Sequence, residues 1–261
     1  MSDWLVCAAS VRGTSHVRDD VPCQDAHGAS FVTSAGTEVL VLVASDGAGS
    51  AIRGGDGSSM VTKRIVDLVT ERAGDLSRAT AVEILRGAVA SARKSLAEAA
   101  DREALPIRQF ACTALCCVLA PDWSAFAQIG DGAIVTPEDG TDEWNWIFWP
   151  QRGEYANTTS FLTDEQALSE VQLEFLPYGV QEIALFTDGI QHLVLHYESQ
   201  TVHGRFFEQI MEPPRRAAAR GVSSALSRSL ATYLSSPRII DRADDDLTLV
   251  LATRSNRAGD A

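Results

Sequence analysis

The chain has 261 residues and a formal net charge of -13 at pH 7, with 45% hydrophobic and 22% charged residues. This length and composition are typical of one globular domain with a large core, which we expect over residues 1–254, followed by a short flexible tail over 255–261. The negative charge argues against binding to nucleic acid, and from the pattern of the first residues we expect no secretory signal. No run is long enough to predict a segment that crosses a bilayer.

The first half of the chain predicts strands followed by helices. Strand-like apolar runs cover residues 4–10 and 38–45, with a polar loop between them. After a glycine-rich stretch at 47–57, apolar residues recur every three or four positions over 60–69 and again over 82–96. These spacings predict two amphipathic helices.

The second half predicts further strands joined by short turns, which indicates an antiparallel meander. A short helix at 206–211 is expected to stop at Pro213-Pro214, and a longer helix covers 222–234. The predicted strands are 111–120, 123–129, 133–136, 143–149, 171–176, 182–186 and 247–253. Because strands mostly follow one another directly, the fold class is α+β with layered sheets rather than alternating βαβ units.

The five cysteines form an odd set without the paired spacing of a metal site. They predict reduced core residues in a cytoplasmic protein.

Aspartates stand at the ends of several strand-like runs. Asp46, Asp131 and Asp188 each precede a glycine after an apolar segment, and a triple aspartate at 244–246 opens the last strand. A single Asp-Gly pair is most often a simple turn, and a triple aspartate could be a solvated loop. The recurrence nevertheless predicts that the carboxylates converge. Because they repel one another, they would bind hard divalent cations such as Mg²⁺ or Mn²⁺.

The order of these motifs resembles the metal-dependent protein phosphatases of the PP2C type, in a divergent bacterial form. The matching pieces follow the family's order, with a helical pair between the second and the third. They are Gln24-Asp25, Asp46-Gly47-Ala48-Gly49, Cys112-Thr113-Ala114, Gly130-Asp131-Gly132, Thr187-Asp188-Gly189-Ile190 and Asp245-Asp246-Leu247-Thr248.

The resemblance implies a four-layer αββα sandwich, in which two antiparallel β-sheets are flanked by helices. It also implies a binuclear Mg²⁺ or Mn²⁺ site at one end of the sandwich. Asp46 would bridge the two ions, and the carbonyl of Gly47 would add a ligand. Asp188 and Asp245 would complete the first ion, and Asp25 would serve the second ion directly or through water.

A third, weaker ion is implied near Asp131, although His192 stands where many members carry another acidic ligand. The implied reaction is hydrolysis of a phosphoserine or phosphothreonine ester by a water that two cations share and deprotonate. An arginine usually binds the phosphate in this family. We expect Arg18 in that role, with Arg12 as the second choice.

Two departures from the family's pattern bear on the mechanism. Gln24 is neutral where an acidic residue often stands, so the second ion could be held more weakly or through water. Ala48 replaces a histidine thought to act as general acid toward the leaving group. His16 is the nearest candidate for that task, although a lone loop histidine is more often simply solvated.

The sequence leaves three functions open. The first is a cytoplasmic serine/threonine protein phosphatase in bacterial signalling, with a phosphoprotein substrate and a cognate kinase as partners, and with no nucleic acid or membrane. The second is a degenerate PP2C-like module that binds phosphoproteins or regulates without catalysis, which Gln24 and Ala48 would favour. The third is a phosphohydrolase for small phosphate esters, which would use the same ligands.

Overall fold

The computed structural model describes residues 3–138, 141, 143–151 and 159–255. In chain order the strands are β1 (Trp4–Val11), β2 (Ala26–Ser34), β3 (Thr37–Ser45), β4 (Ala114–Leu119), β5 (Ser124–Ile129), β6 (Ala133–Pro137), β7 (Trp144–Phe148), β8 (Gln172–Leu176), β9 (Glu182–Phe186), β10 (Leu195–His196), β11 (Thr201–Val202), β12 (Gly221–Val222) and β13 (Leu247–Arg254). The helices are α1 (Thr14–Arg18), α2 (Gly54–Glu71), α3 (Ala81–Glu103), α4 (Ala167–Glu170), α5 (Gln191–Val194), α6 (Gly204–Arg216), α7 (Ser224–Leu234) and α8 (Pro237–Ile240). Short 3₁₀ turns cover Ala73–Asp75, Ile107–Phe110 and Asp188–Ile190.

Two large sheets pack face to face. The first sheet has the strand order β2-β3-β4-β5-β8, and the second has the order β12-β1-β13-β9-β6-β7. Neighbouring strands in both sheets are antiparallel, except that the short β12 runs parallel to β1. Strands β10 and β11 form a separate small hairpin.

Strand β3 shows how the sequence builds the layers. Its residues Leu40 and Leu42 belong to the core between the two sheets, whereas Val41 and Val43 belong to the core between the first sheet and helices α2 and α3. Successive side chains of a strand point to opposite faces, so a strand covered on both faces must be apolar at nearly every position. This explains why the run over 38–45 reads as continuously apolar rather than alternating.

The outer face of the second sheet is covered by α6 and α7. Phe207 of α6 stacks on Phe186 of β9 and on Trp144 of β7, with ring centroids 5.9 Å and 4.8 Å apart. Leu230 of α7 joins the same buried cluster. With helices on both outer faces, the structure confirms the α+β fold class and the four-layer αββα sandwich.

The stretch between the first two predicted strands contains more than a polar loop. It forms helix α1 and the edge strand β2, which pairs with β3 along its whole length. Most of β2 is only half-buried, because an edge strand has a neighbour on one side and α2 covers only one of its faces. The strand therefore lacks the long apolar run by which its neighbours could be predicted.

The predicted meander is interrupted at Gly130-Asp131-Gly132. Strand β5 belongs to the first sheet and β6 to the second, so the chain crosses between the sheets at this turn. Gly130 has a φ of +111°, and a Cβ atom there would lie 2.4 Å from the side chain of Thr113. Glycine is required here for both its conformation and its size. The crossing places Asp131 at the end of the sandwich.

Helix α6 continues through Pro213 and Pro214, where the sequence predicts a stop. Interior prolines usually break a helix because they remove a hydrogen bond and crowd the preceding turn. Here Pro214 is buried, and the guanidinium of Arg215 donates two hydrogen bonds to the carboxylate of Glu182 on β9. Packing and this ion pair hold the last turn in place.

All five cysteines are free, and all but Cys23 are buried. The backbone N–H of Ser255 donates to the carbonyl of Asp3, while the remainder of the predicted tail lies outside the described residues. Within the described ranges, no helix combines the length and the apolar character needed to span a bilayer.

The close contact between α2 and the Ile107–Phe110 turn gives a test of the packing. A Cβ atom on Gly57 would lie 2.3 Å from the carbonyl oxygen of Phe110, whereas Gly87 on α3 has open space around it. We expect Gly57→Ala to lower the free energy of unfolding by about 1–3 kcal/mol. The matched control Gly87→Ala should raise it by up to about 1 kcal/mol, because alanine favours a helix. Urea denaturation measures both, and equal effects would contradict the packing described.

Candidate active site

Three aspartates from different strand ends meet at one end of the sandwich. Asp46 follows β3 and Asp131 follows β5 in the first sheet, while Asp188 follows β9 in the second sheet. One carboxylate oxygen from each of the three lies within 4.8 Å of the others. The rigid sheets fix these strand ends, so residues far apart in sequence form one cluster.

Asp25 and Asp245 lie close to this cluster. The hydroxyl of Thr187 donates to Asp25 at 2.7 Å and accepts from the backbone N–H of Thr248 at 3.0 Å, which ties Asp25 to β9 and β13. The charge of Asp245 raises the pKa values of Asp46, Asp131 and Asp188, so its carboxylate lies within electrostatic range of all three. Asp25 is buried, whereas Asp245 is exposed.

The loop that carries Asp46 is fixed by backbone contacts. The backbone N–H of Asp46 donates to the hydroxyl of Thr113 at 2.9 Å, and the N–H of Thr113 donates to the carbonyl of Asp46 at 2.8 Å. A Cβ atom on Gly47 would lie 2.4 Å from the backbone of Gly54 and 2.7 Å from the carbonyl oxygen of Gln24. The close approach of these backbones explains the glycine; the role of its carbonyl as a ligand stays a prediction.

Burial and mutual repulsion disfavour the charged forms of these aspartates. The pKa of Asp188 is raised to about 7, mainly by burial and secondly by the charges of neighbouring carboxylates. Burial also raises the pKa of Asp25 to about 7, although hydrogen bonds from Thr187 and Thr248 act in the opposite direction. The pKa of Asp46 is raised well above its ordinary value by burial and by four other carboxylates. The cluster therefore takes up either protons or cations near neutral pH.

The donor set fits hard divalent cations. One carboxylate oxygen of Asp25 and one of Asp188 are shielded from solvent and have no hydrogen-bond partner among the described residues. Buried acceptors of this kind need a partner, because an unpaired buried charge is costly. The converging side chains offer only oxygen atoms, which Mg²⁺ and Mn²⁺ prefer over the nitrogen and sulfur ligands typical of zinc.

The sequence analysis missed the role of Asp246. This buried carboxylate accepts hydrogen bonds from the backbone N–H groups of Gly13 at 2.7 Å and Gln24 at 2.5 Å. Its Oδ2 atom also lies 2.9 Å from Nδ1 of His16. Asp246 thus fastens both ends of the loop before Asp25 to the start of β13. The sequence did contain a hint of this role. Of the three consecutive aspartates at 244–246, only Asp245 was predicted to bind a cation, which left the other two without a function.

His16 is largely buried beside Asp246 rather than solvated. Its side chain is 13% exposed, with Nδ1 facing Asp246. Its Nε2 atom lies 3.9 Å from the position that a Cβ atom on Gly49 would occupy. The imidazole therefore stands beside the loop that follows Asp46, next to the position where Ala48 replaces the family's histidine.

The two candidate arginines differ in their surroundings. Arg18 is 74% exposed and pairs with Asp19, its neighbour in sequence. Arg12 donates to the carbonyl of Val21 at 3.3 Å and lies 3.8 Å from the carboxylate of Asp20. It precedes Gly13, where a Cβ atom would lie 2.2 Å from the backbone of Asp245. Both arginines thus pair with an aspartate of their own loop. Which of the two binds the phosphate stays a prediction.

Comparisons with known proteins show to which family the chain is related. A family model described as Protein phosphatase 2C matches residues 12–235. The chain is 34% identical over 250 residues to Serine/threonine-protein phosphatase 3 of Escherichia coli (strain K12), covering 95% of this chain and 98% of that protein.

Solved structures share the fold at low sequence identity. The serine/threonine phosphatase Stp1 from Staphylococcus aureus superposes with a TM-score of 0.63 at 16% identity, covering 96% of this chain and 95% of that one. The catalytic domain of the serine threonine protein phosphatase PstP, solved with two manganese ions, superposes with a TM-score of 0.65 at 18% identity. That match covers 96% of this chain and 97% of the other.

The raised pKa values predict how the metal-free protein responds to pH. Asp25 and Asp188 have pKa values of about 7 in the folded chain, against 3.8 for the ordinary group. Between these values the unfolded chain loses protons that the folded chain retains, so stability should fall as pH rises from about 4 to about 7 and level off above. The total loss should amount to a few kcal/mol.

Thermal melts of the metal-free protein and of Asp188→Asn test this expectation. The variant should show a flatter pH profile, and histidine titration cancels in the comparison because both proteins contain the same histidines. Mn²⁺ should raise the melting temperature of the parent more at pH 8 than at pH 6, because it competes with protons. Identical profiles for the two proteins would refute the assignment.

Proposed function

The chain is a member of the protein phosphatase 2C family, and from this premise we propose that it hydrolyses phosphoserine and phosphothreonine esters in proteins with the aid of divalent cations. The observation that carries the proposal is the meeting of Asp46, Asp131 and Asp188 within 4.8 Å, from three separate strand ends. A module without cations would keep these carboxylates repelling one another in a partly buried recess, so the cluster favours catalysis over the degenerate binding module.

Asp46, Asp188 and Asp245 would hold the cations, with Asp25 contributing directly or through water and Gly47 through its carbonyl. Two Mg²⁺ or Mn²⁺ ions are proposed. When bound, such a pair lowers the pKa of a water molecule and withdraws charge from phosphoryl oxygens. A third, weaker ion beside Asp131 is supported by the position of that carboxylate within the cluster.

The chain's own residues supply the remaining steps. Arg12 is proposed to bind the phosphate, because Gly13 next to it packs against the loop that carries Asp245. His16 is proposed to donate a proton from Nε2 to the leaving seryl or threonyl oxygen as the P–O bond breaks. Asp246, whose Oδ2 atom lies 2.9 Å from Nδ1, would stabilise the protonated ring by its charge, so it is a positioning residue.

The partners and location follow from this activity and from the cysteines. The substrate class implies a cognate serine/threonine kinase that adds the phosphate. Five free cysteines are typical of a reducing compartment, which supports action in the cytoplasm. The net charge of -13 disfavours nucleic acid as a partner.

Replacing Asp46 tests the metal-dependent reaction. Asp46→Asn should lower the rate of phosphate release from a phosphothreonine peptide with Mn²⁺ by at least about 100-fold, because the central carboxylate of the cluster is lost. The matched control Asp56→Asn changes an exposed aspartate in the first turn of α2 and should retain activity. Chelation should abolish turnover by the parent. An Asp46→Asn variant as fast as the parent would rule out the assigned site.

Substrate preference tests the third function. If the parent turns over nucleotides faster than phosphopeptides, it is a small-molecule phosphohydrolase.

Leaving-group dependence tests His16. His16→Gln should lower kcat for a phosphoserine peptide by about 100-fold, because an alkoxide leaving group needs a proton. Turnover of 4-nitrophenyl phosphate should change much less, because nitrophenolate leaves without one. Comparing kcat for both substrates separates this role from structural damage, which would slow both reactions alike.

A further inference from the structure

A cavity of about 640 Å³ lies outside the carboxylate cluster, between α5, α6, α7 and α8. Its walls combine apolar surface, including Phe206 and Tyr233, with the guanidinium groups of Arg205, Arg238 and Arg242. Asp241 is the one carboxylate among the lining residues described. The cavity is therefore basic, although the chain as a whole carries a net charge of -13.

The three arginines share one recess and have no carboxylate partner among its described residues. In the described part of the chain, none of the three lies within 4.0 Å of a carboxylate, whereas Arg53, Arg64, Arg72, Arg78 and Arg86 all do. Some arginines elsewhere in the described ranges, such as Arg102 and Arg228, also lack an ion pair, but only these three line the cavity together. All three cavity arginines are exposed. In so acidic a protein, a basic recess without internal partners is suited to carboxylates from another molecule.

The cavity adjoins two of the loops that form the carboxylate cluster. Arg242 comes three residues before Asp245, so their Cα atoms are at most about 11 Å apart. On another wall, Leu193 lies in the short helix α5, which follows Asp188 directly through the Asp188–Ile190 turn. A ligand in the cavity would therefore lie a short distance from a phosphate bound at the cluster.

We propose that this cavity binds acidic side chains of the phosphoprotein substrate, at positions about three to six residues from the phosphorylated residue. The inference rests on the function proposed above. An extended peptide advances about 3.3–3.6 Å per residue, which sets this spacing. Because the arginines come from α6, α8 and the loop after α8, they are spread over several points. That distribution suits two or three separate carboxylates of a peptide better than one compact phosphate group.

Paired phosphopeptides test the proposal. Two phosphothreonine peptides would differ only in carrying Glu or Gln at three to six residues on either side of the phosphorylated residue. The parent should hydrolyse the Glu peptide with about fivefold higher kcat/KM, through a lower KM, as expected for two exposed charge pairs. In R205E/R238E this preference should disappear or reverse. The control R86E/R102E makes the same change of net charge at two exposed positions of α3, a helix that contributes no lining residue to the cavity, and should keep the preference.

Two further readouts make the result decisive. Turnover of 4-nitrophenyl phosphate should be equal in all three proteins, since that substrate does not reach the cavity. Fluorescence anisotropy with a labelled, unphosphorylated Glu peptide measures binding without catalysis, and only R205E/R238E should bind it more weakly. If the double variant melts at a lower temperature than the parent, R238Q takes its place.

Each outcome decides a separate question. Hydrolysis of both peptides at equal kcat/KM, or equal loss of the preference in both double variants, would overturn the cavity proposal and leave the phosphatase function intact. Failure of the parent to hydrolyse any phosphate ester with Mn²⁺ would overturn the proposed function. In that case the anisotropy measurement alone decides whether the cavity binds acidic peptides.

Discussion

Repulsion between carboxylates held at fixed positions is the constraint on which the site depends. Asp46 and Asp131 are carried by one sheet and Asp188 by the other, so they can separate only if the sandwich itself deforms. Because the fold is rigid, the repulsion between these carboxylates raises the free energy of the folded state until protons or cations bind to them. The apolar layer between the sheets, with Leu42 of β3 and Leu185 of β9, keeps these strand ends together.

The rigid sheets do not form the whole site. One side of it is formed by the loop between β1 and Asp25, which contains α1 and has no hydrophobic core of its own. Helix α1 has no buried residue. Its loop is positioned instead by Asp246, which accepts from Gly13 and Gln24 and faces His16. One buried carboxylate therefore fixes the backbone at Gly13 and at Gln24, and it lies 2.9 Å from the imidazole of the candidate general acid. Each of its two oxygens accepts a backbone hydrogen bond, which gives Asp246 a structural role.

The sequence was sufficient to predict most of the layered fold, because β3, α2 and α3 carry strong apolar periodicity. It was insufficient for β2, an edge strand with half-buried residues, and for α6, where tertiary contacts of Arg215 override the preference of two prolines. The aspartates at strand ends could be predicted because motif order links distant positions. The choice between Arg18 and Arg12 could not be made from the sequence, because it depends on side-chain direction, which sequence order does not specify.

Strand β13 lies between β1 and β9 in the middle of its sheet, and it leads directly out of the triple aspartate. Before this strand leaves the ribosome, β1 and β9 have no shared partner, and the loop of His16 has no anchor. Contacts spanning most of the chain form slowly, because loop closure precedes any gain from packing. Nascent chains that still lack the triple aspartate and β13 would have neither this anchor nor Asp245, so the site can assemble only after this strand has been made.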